Sequence, residues 1–538
     1  MVTSAAAGAP RQQEQLCEGV EAVASPKRSR VRRSSGPLGV ASAALLFFGC
    51  LVGPRLGQLD DVPFFDEMWR LDLIHSRDVL ATSKLIANTT AVPYGWIYAN
   101  KALIAVFGDS LPVLRLAGLV FWTLALVVLL LTFVRVTAVG SRLRHRPVTV
   151  AVVATCATLA VTGSLTELTG YANNYVFDVL LAALLLYAST ELDRSRWAFP
   201  ALLVIIATMP LFTLPALVLL PAAIARAVWW ARKVGRPALA LLAGASVVSA
   251  GTAAVAYVEL YRPVVGRPAS IAFLADWWRP DRLQSGSGGP LLLGRTASLI
   301  RSAIWPGAAG IGHPVLSVVL WTSFVYGLLV LIRWWPWYGV FLASGWVGIL
   351  LLGATTGAPV TPVRVTVGFY FLVLATVIFG FFAGVAFMTE LLTRGRGHQV
   401  PFVAIAVSVL AFMWPRLTTP GRLFSLVREF DVVATSRATA NLVIAYHFLA
   451  QPYADDRLVN GAAPGRFIVL AERHDDRSLY GPLDELVATK LARGGAVWCV
   501  VPYALGPVDS DRACRFNLTR QLVRSFHGPQ AEVVEYRI

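Results

Sequence analysis

From residue 37 to residue 416 the chain alternates long apolar runs with short polar connections. About 20 apolar residues cross a hydrocarbon core as a helix, and the pattern predicts eleven crossings. They are Pro37–Gly57, Leu111–Val134, Val148–Ser164, Val176–Ser189, Ala198–Met209, Leu211–Val228, Ala238–Leu260, Val315–Ile332, Trp337–Ala354, Val365–Met388 and Val400–Trp414. Basic residues cluster between alternate pairs of runs: Arg135, Arg142, Arg144 and Arg146, then Arg194 and Arg196, then Arg232, Lys233 and Arg236, and later Arg394 and Arg396. Lys and Arg mark cytoplasmic loops. The N-terminus is therefore expected inside the cell and the C-terminus outside.

Two regions depart from this pattern. Residues 58–110 form the first outer loop. From Glu67 to Leu80, Met68, Leu71 and Ile74 recur at helical spacing, as do Trp69 and Leu73, with Arg70, Asp72, His75, Arg77 and Asp78 between them. That reads as an amphipathic helix lying in the interface. Ala91–Phe107, with Pro93 near its start and Gly108 closing it, is too short to span and carries Asn100 and Lys101. It is expected to be a second interfacial helix. Residues 417–538 change character again. Arg466–Leu470, Ala496–Pro502 and Ala531–Ile538 read as strands, and Pro482–Ala492 and Phe516–Phe526 as helices. The expected fold is a polytopic α-helical membrane protein of about eleven transmembrane helices, spanning 37–416. It is followed by a small extracytoplasmic α/β domain and preceded by a disordered cytoplasmic tail, 1–36.

Composition agrees. Of 538 residues 56% are hydrophobic and 14% charged, against about 25% charged in a soluble protein. The net charge of +16 is dispersed between apolar runs, which marks topology and gives no nucleic-acid surface. Five cysteines show no metal-ligand spacing. Cys499 and Cys514 are both expected outside, where a disulfide and two free thiols fit equally well.

Candidate chemistry begins in Leu59–Arg70, which holds Asp60, Asp61, Asp66 and Glu67 beside the first run. A carboxylate at a helix centre in hydrocarbon costs about 2.5–3.5 kcal/mol, so this group belongs where water, a cation or a substrate meets it. Asp66 stands at a loop-to-helix junction, suited to a helix cap and to a general base alike. Asp178, after Asn174 and Tyr175, lies at the mouth of the fourth predicted span, and an acid at that depth faces a cavity. Arg364, between Pro362 and an apolar run, suits bidentate phosphate binding and interfacial snorkelling alike. Arg115 allows the same two readings or a pairing with the loop acids.

The order of these pieces carries a resemblance. Asp66-Glu67, then Val92-Pro93-Tyr94-Gly95-Trp96, then Phe107-Gly108-Asp109-Ser110 with Arg115 beyond, and late in the chain Thr361-Pro362-Val363-Arg364 and Gly495-Ala496-Val497-Trp498, resemble the GT-C superfamily of integral-membrane glycosyltransferases. The likeness is to the branch of protein O-mannosyltransferases and lipid A aminoarabinose transferases. It implies a hexosyl- or pentosyltransferase using a polyprenyl-phosphate sugar, acting on the outer face by inverting direct displacement. The acceptor (glycan, lipid or protein) stays open. On that reading Asp66 is the base and Glu67 its catalytic partner. Arg364, Arg115 and Lys101 bind the donor phosphate, and Asp178, Asn174 and Tyr175 line the acceptor cavity. Many relatives carry Lys or His where Val92 stands, which makes Lys84 and Lys101 substitutes for that contact. A divalent cation would sit at Asp66 and Glu67, though no ligand cluster demands one. The rival readings are a lipid or glycan transporter and a non-catalytic membrane scaffold.

Overall fold

The computed structural model describes residues 92–140, 146–160, 174–213, 215–262, 314–356 and 366–392, most of 70–79, five C-terminal strands, and a few isolated positions. The apolar runs form helices: α1 Tyr94–Phe107, α2 Leu111–Gly140, α3 Arg146–Ala160, α4 Tyr175–Glu191, α5 Ala198–Phe212, α6 Leu220–Val234, α7 Arg236–Ala256, α8 Pro314–Trp334, α9 Trp337–Thr356 and α10 Val367–Leu392. Helices α2 to α10 match nine of the expected spans. The first and last expected spans lie largely outside the described residues. Four segments among the described residues are long and apolar enough to cross a membrane: Leu111–Thr137, Arg236–Glu259, Trp337–Ala354 and Val367–Leu392. This is a membrane protein.

The helices sort their charge. At one end of the bundle the Arg135 Nε lies 3.3 Å from Glu191 Oε1, and Arg226 Nη2 donates to Asp193 Oδ2 at 2.5 Å. This basic end gathers the C-terminus of α2, the α4–α5 turn and the later turns of α6. The opposite end gathers the starts of α2, α4 and α10 and the end of α5. Helices α4, α5 and α6 therefore run antiparallel in turn, as their short connections require.

Helix α10 is a buried post against which α3, α4, α8 and α9 pack. Every residue from Val367 to Gly380 is buried, the mark of a helix apolar on all faces. Phe371 meets Trp122 of α2 edge-on, with centroids 5.6 Å apart. Phe379 meets Phe133 at 5.4 Å, and Trp346 of α9 meets Phe369 at 5.2 Å. Helix α8 approaches most closely: a Cβ on Gly380 would stand 1.9 Å from the Ser323 carbonyl oxygen, so the backbones touch where no side chain fits.

One span is displaced from its expected position. The sequence pattern starts it at Leu211, but Pro215–Leu219 forms a 3-10 turn and α6 begins at Leu220. Pro215 lacks the N–H that would continue α5, while Pro221 sits in the first turn of α6, where a missing donor costs nothing. The helix then runs to Val234 and stops at Gly235, whose φ is 126°.

The C-terminal strands are β1 Leu442–Tyr446, β2 Arg466–Leu470, β3 Val497–Pro502, β4 Gln521–His527 and β5 Ala531–Arg537. They form one sheet in the order β2-β1-β3-β5-β4. Strand β1 is parallel to β2 and β3, and β5 is antiparallel to β3 and β4. Three strands lie where the sequence placed them. The helix expected over Phe516–Phe526 is overturned, because Gln521–His527 is strand β4, paired along its length with β5. Leu522, Val523 and Phe526 satisfy a helical spacing, yet the Gly528-Pro529 that follows is a turn signal, and the ladder with β5 decides. Strand β1 was not foreseen. The expected helix Pro482–Ala492, and Cys514, lie outside the described residues.

Candidate active site

At the end opposite the basic cluster, the described part of residues 70–79 packs onto the bundle. Residues 70–75 are helical apart from position 72, which lies outside the described set. Leu73 and Ile74 are buried while His75, Arg77 and Asp78 are exposed, the amphipathic division the spacing predicts. Leu73, Ile74, Val79, Val92, Trp96, Ile97, Leu114 and Ala172 form one apolar cluster, which ties this segment to α1, the start of α2 and the approach to α4. Two polar clasps reinforce it. Lys101 Nζ donates to the Ser76 carbonyl, and His75 Nε2 lies 2.9 Å from Asp109 Oδ1. Asp109 follows Gly108, whose φ of 94° closes α1. Burial, and then the carboxylate of Glu259, push the Tyr94 phenol above its ordinary value, so it remains a neutral hydrogen-bonding group.

Behind this layer sit charges that are costly to bury. Arg70 is 1% exposed, with its guanidinium 5.5 Å from the centre of the Tyr175 ring. Arg115, one turn into α2, is also 1% exposed. Asp178 in the first turn of α4 is fully buried, and neither carboxyl oxygen has a partner at hydrogen-bond geometry among the described residues. The Thr213 hydroxyl is its neighbour at the end of α5. Across from it stands Gly368 in the first turn of α10, where an added Cβ would lie 3.3 Å from that of Asp178. The α4 N-terminus directs its helix dipole at this acid and favours its charge. Between α1, α2 and α4 a narrow crevice is lined by Trp96, Asn100, Leu114, Gly118, Phe121 and Phe177, among others. Phe177 stacks on Phe212 at 5.8 Å and leans on Phe121 at 4.6 Å. Asn100 gives one of its protons to the Trp96 carbonyl and is the polar group of this wall.

Of the residues singled out from sequence, Arg115, Asn174, Tyr175 and Asp178 lie at this end of the bundle, and Tyr175 and Asp178 share the first turn of α4. Lys101 lies in the outer layer, its amine held by Ser76. Asp66, Glu67, Lys84 and Arg364 fall outside the described residues. Arg70 was missed: the sequence placed it among the polar positions of an amphipathic helix, and the structure buries it against Tyr175. Among the described residues no group of three or more His, Cys, Asp or Glu is arranged to hold a metal ion.

No family model matches this chain, and no curated protein sequence does. Solved structures do. ArnT from Cupriavidus metallidurans bound to undecaprenyl phosphate is similar over 93% of this chain and 97% of that one, at 13% identity and a TM-score of 0.44. The same protein in its apo state is similar over 92% and 98%, with a TM-score of 0.45. The Archaeoglobus fulgidus oligosaccharyltransferase in its apo form is similar over 88% of this chain and 70% of that one, at 12% identity and a TM-score of 0.44. Both proteins are GT-C glycosyltransferases.

The arrangement defines what this end of the bundle can do. Buried cations at Arg70 and Arg115 can stabilise an anion such as a phosphate, which in a low-dielectric site is worth far more than in water. A buried acid at Asp178 can accept a hydrogen bond from a hydroxyl or hold a cationic group. The apolar crevice beside them has room for about one water molecule.

Proposed function

We propose that this chain is a membrane glycosyltransferase that moves a sugar from a polyprenyl-phosphate carrier to an acceptor on the outer face of the membrane. The observation that carries the reading is the burial of Arg70, Arg115 and Asp178 at one end of the bundle. Asp66 takes the proton of the acceptor hydroxyl as that oxygen attacks the anomeric carbon. The bond to the carrier phosphate breaks with inversion, and the released lipid phosphate is stabilised by arginines, Arg115 and Arg364 among them. Glu67 orients Asp66 or the acceptor. Asn174, Tyr175 and Asp178 form the acceptor wall, and Arg70 supports it through the Tyr175 ring. The resemblance of the motif order to the GT-C superfamily supports the same assignment.

The test is sugar transfer in vitro, with purified wild type and Asp66→Asn given a panel of polyprenyl-phosphate sugars and membrane extract as acceptor. A well-placed base contributes about 10²–10⁴-fold. Transfer should fall by at least about a hundredfold in the variant while its thermal midpoint is unchanged. Equal transfer by the two proteins would remove Asp66 from the mechanism.

One observation favours a second reading, transport of a lipid or glycan. Asp178 lies beside the break between α5 and α6, where a 3-10 turn interrupts the helices. Transporters build binding sites from interrupted helices and buried acids. Uptake of a labelled polyprenyl-phosphate sugar into protein-containing vesicles, with no sugar transferred, would select it.

A further inference from the structure

The basic end of the bundle holds a second group of charges and rings that glycosyl transfer leaves unused. Arg226 is 1% exposed although it lies within α6. Its guanidinium sits 4.8 Å from the Trp229 ring centre and 5.6 Å from that of Trp337, and its Nη2 donates to Asp193. Lys233 Nζ lies 3.3 Å from the centre of the same Trp229 ring. One indole therefore serves two cations. Trp229 contacts Trp337 at 6.1 Å and Phe199 contacts Trp230 at 4.6 Å. These contacts bring the start of α5, the last turns of α6 and the start of α9 into one corner.

The acids of this corner are already engaged. Asp193 pairs with Arg226, and Glu191 pairs with Arg135 and Arg194. Arg196, Arg232, Lys233, Arg236 and Arg333, which belong to the α4–α5 turn, the α6–α7 turn and the α8–α9 turn, have no ion-pair partner among the described residues. Snorkelling accounts for exposed basic tips at such a rim. It does not account for a buried guanidinium whose Nε and Nη1 have no hydrogen-bond partner among the described residues and which is held between two rings beside an excess of positive charge.

We propose that this corner binds the phosphodiester headgroup of an acidic phospholipid of the inner leaflet. Lys233 and Arg232 supply the charge that meets the phosphate. Trp229, 43% exposed, supplies an amphipathic face at headgroup depth for the glycerol backbone. Arg226 and Asp193 fix that indole from behind. Basic pockets between helices on the cytoplasmic side suit this chemistry. Free phosphate offers the charge without the glycerol that would rest on the ring.

The test uses the full-length chain purified in detergent and native mass spectrometry, with equal amounts of phosphatidylglycerol and phosphatidylcholine offered. Wild type should retain phosphatidylglycerol preferentially, and a millimolar excess of inorganic phosphate should not displace it. Lys233→Gln should weaken that retention about fivefold, the worth of one basic residue near an anionic surface, and Lys233→Arg should restore it. Arg77→Gln, which removes an exposed charge in the outer loop, should leave it unchanged. Arg232→Gln gives the same readout should Lys233→Gln lower the thermal midpoint. Equal retention of the two lipids, displacement by inorganic phosphate, or an equal loss in Arg77→Gln would each overturn the proposal.

Discussion

Asp178 is the residue at which folding and function pull apart. An acid enclosed without a hydrogen-bonded partner is a liability to stability, and nothing among its described neighbours repays it beyond the helix dipole and Thr213. Residues of this kind are retained for activity at a cost in stability. Asp178→Asn should therefore raise the thermal midpoint or leave it unchanged while sugar transfer falls by tenfold or more. A variant that lost stability and kept its transfer rate would show the acid to be structural. The residue was visible in the sequence because an acid inside an apolar run stands out against its neighbours. Arg70 was not, because the ring that covers it lies more than a hundred residues away and local spacing cannot report such a contact.

Elements were legible where the chain punctuates itself. Pro93 and Gly108 bound α1, and both ends lie where those residues put them. Gly108 adopts φ 94° and ψ 156°, a region that residues with a Cβ enter at a cost of about 1–3 kcal/mol. Gly108→Ala should lower the thermal midpoint accordingly and loosen the turn that holds Asp109 against His75. Hydrogen exchange measured over residues 70–110 should rise in the variant, and unchanged protection there would show that the turn does not hold the layer. The break between α5 and α6 was half legible: Pro210, Pro215 and Pro221 were all in view, but which of them ends a helix depends on how the two helices pack. Strand β4 was misread because a strand is decided by its partner. Leu522 and Phe526 fit either period until β5 pairs with them.

At the scale of the molecule, the alternation of basic connections predicted which helix ends lie together, and the ion pairs of Arg135, Glu191, Asp193 and Arg226 join the ends so predicted. By the positive-inside bias the basic end is expected at the cytoplasm. Single cysteines replacing Arg232 and Asp109 should be labelled by an impermeant thiol reagent from opposite sides: Asp109→Cys in intact cells, Arg232→Cys after the membrane is opened. Labelling of both in intact cells would refute the topology. That the chain carries apolar helices of membrane-crossing length was legible from its runs, and four such segments stand among the described residues. The central position of α10 was not, because its apolar run looks like any other until the helices around it are counted as neighbours.

That position has a consequence for biosynthesis. Helix α10 leaves the ribosome after α2 to α9, yet α3, α4, α8 and α9 and the aromatic residues of α2 pack against it. The earlier helices must enter the bilayer with Trp122, Phe133 and Trp346 facing lipid or one another, and they rearrange when their shared partner arrives. A nascent chain ending before Val367 would lack the partner those helices share. Its aromatic faces would be open to the quality-control proteases of the membrane until the last turns of α10 are made.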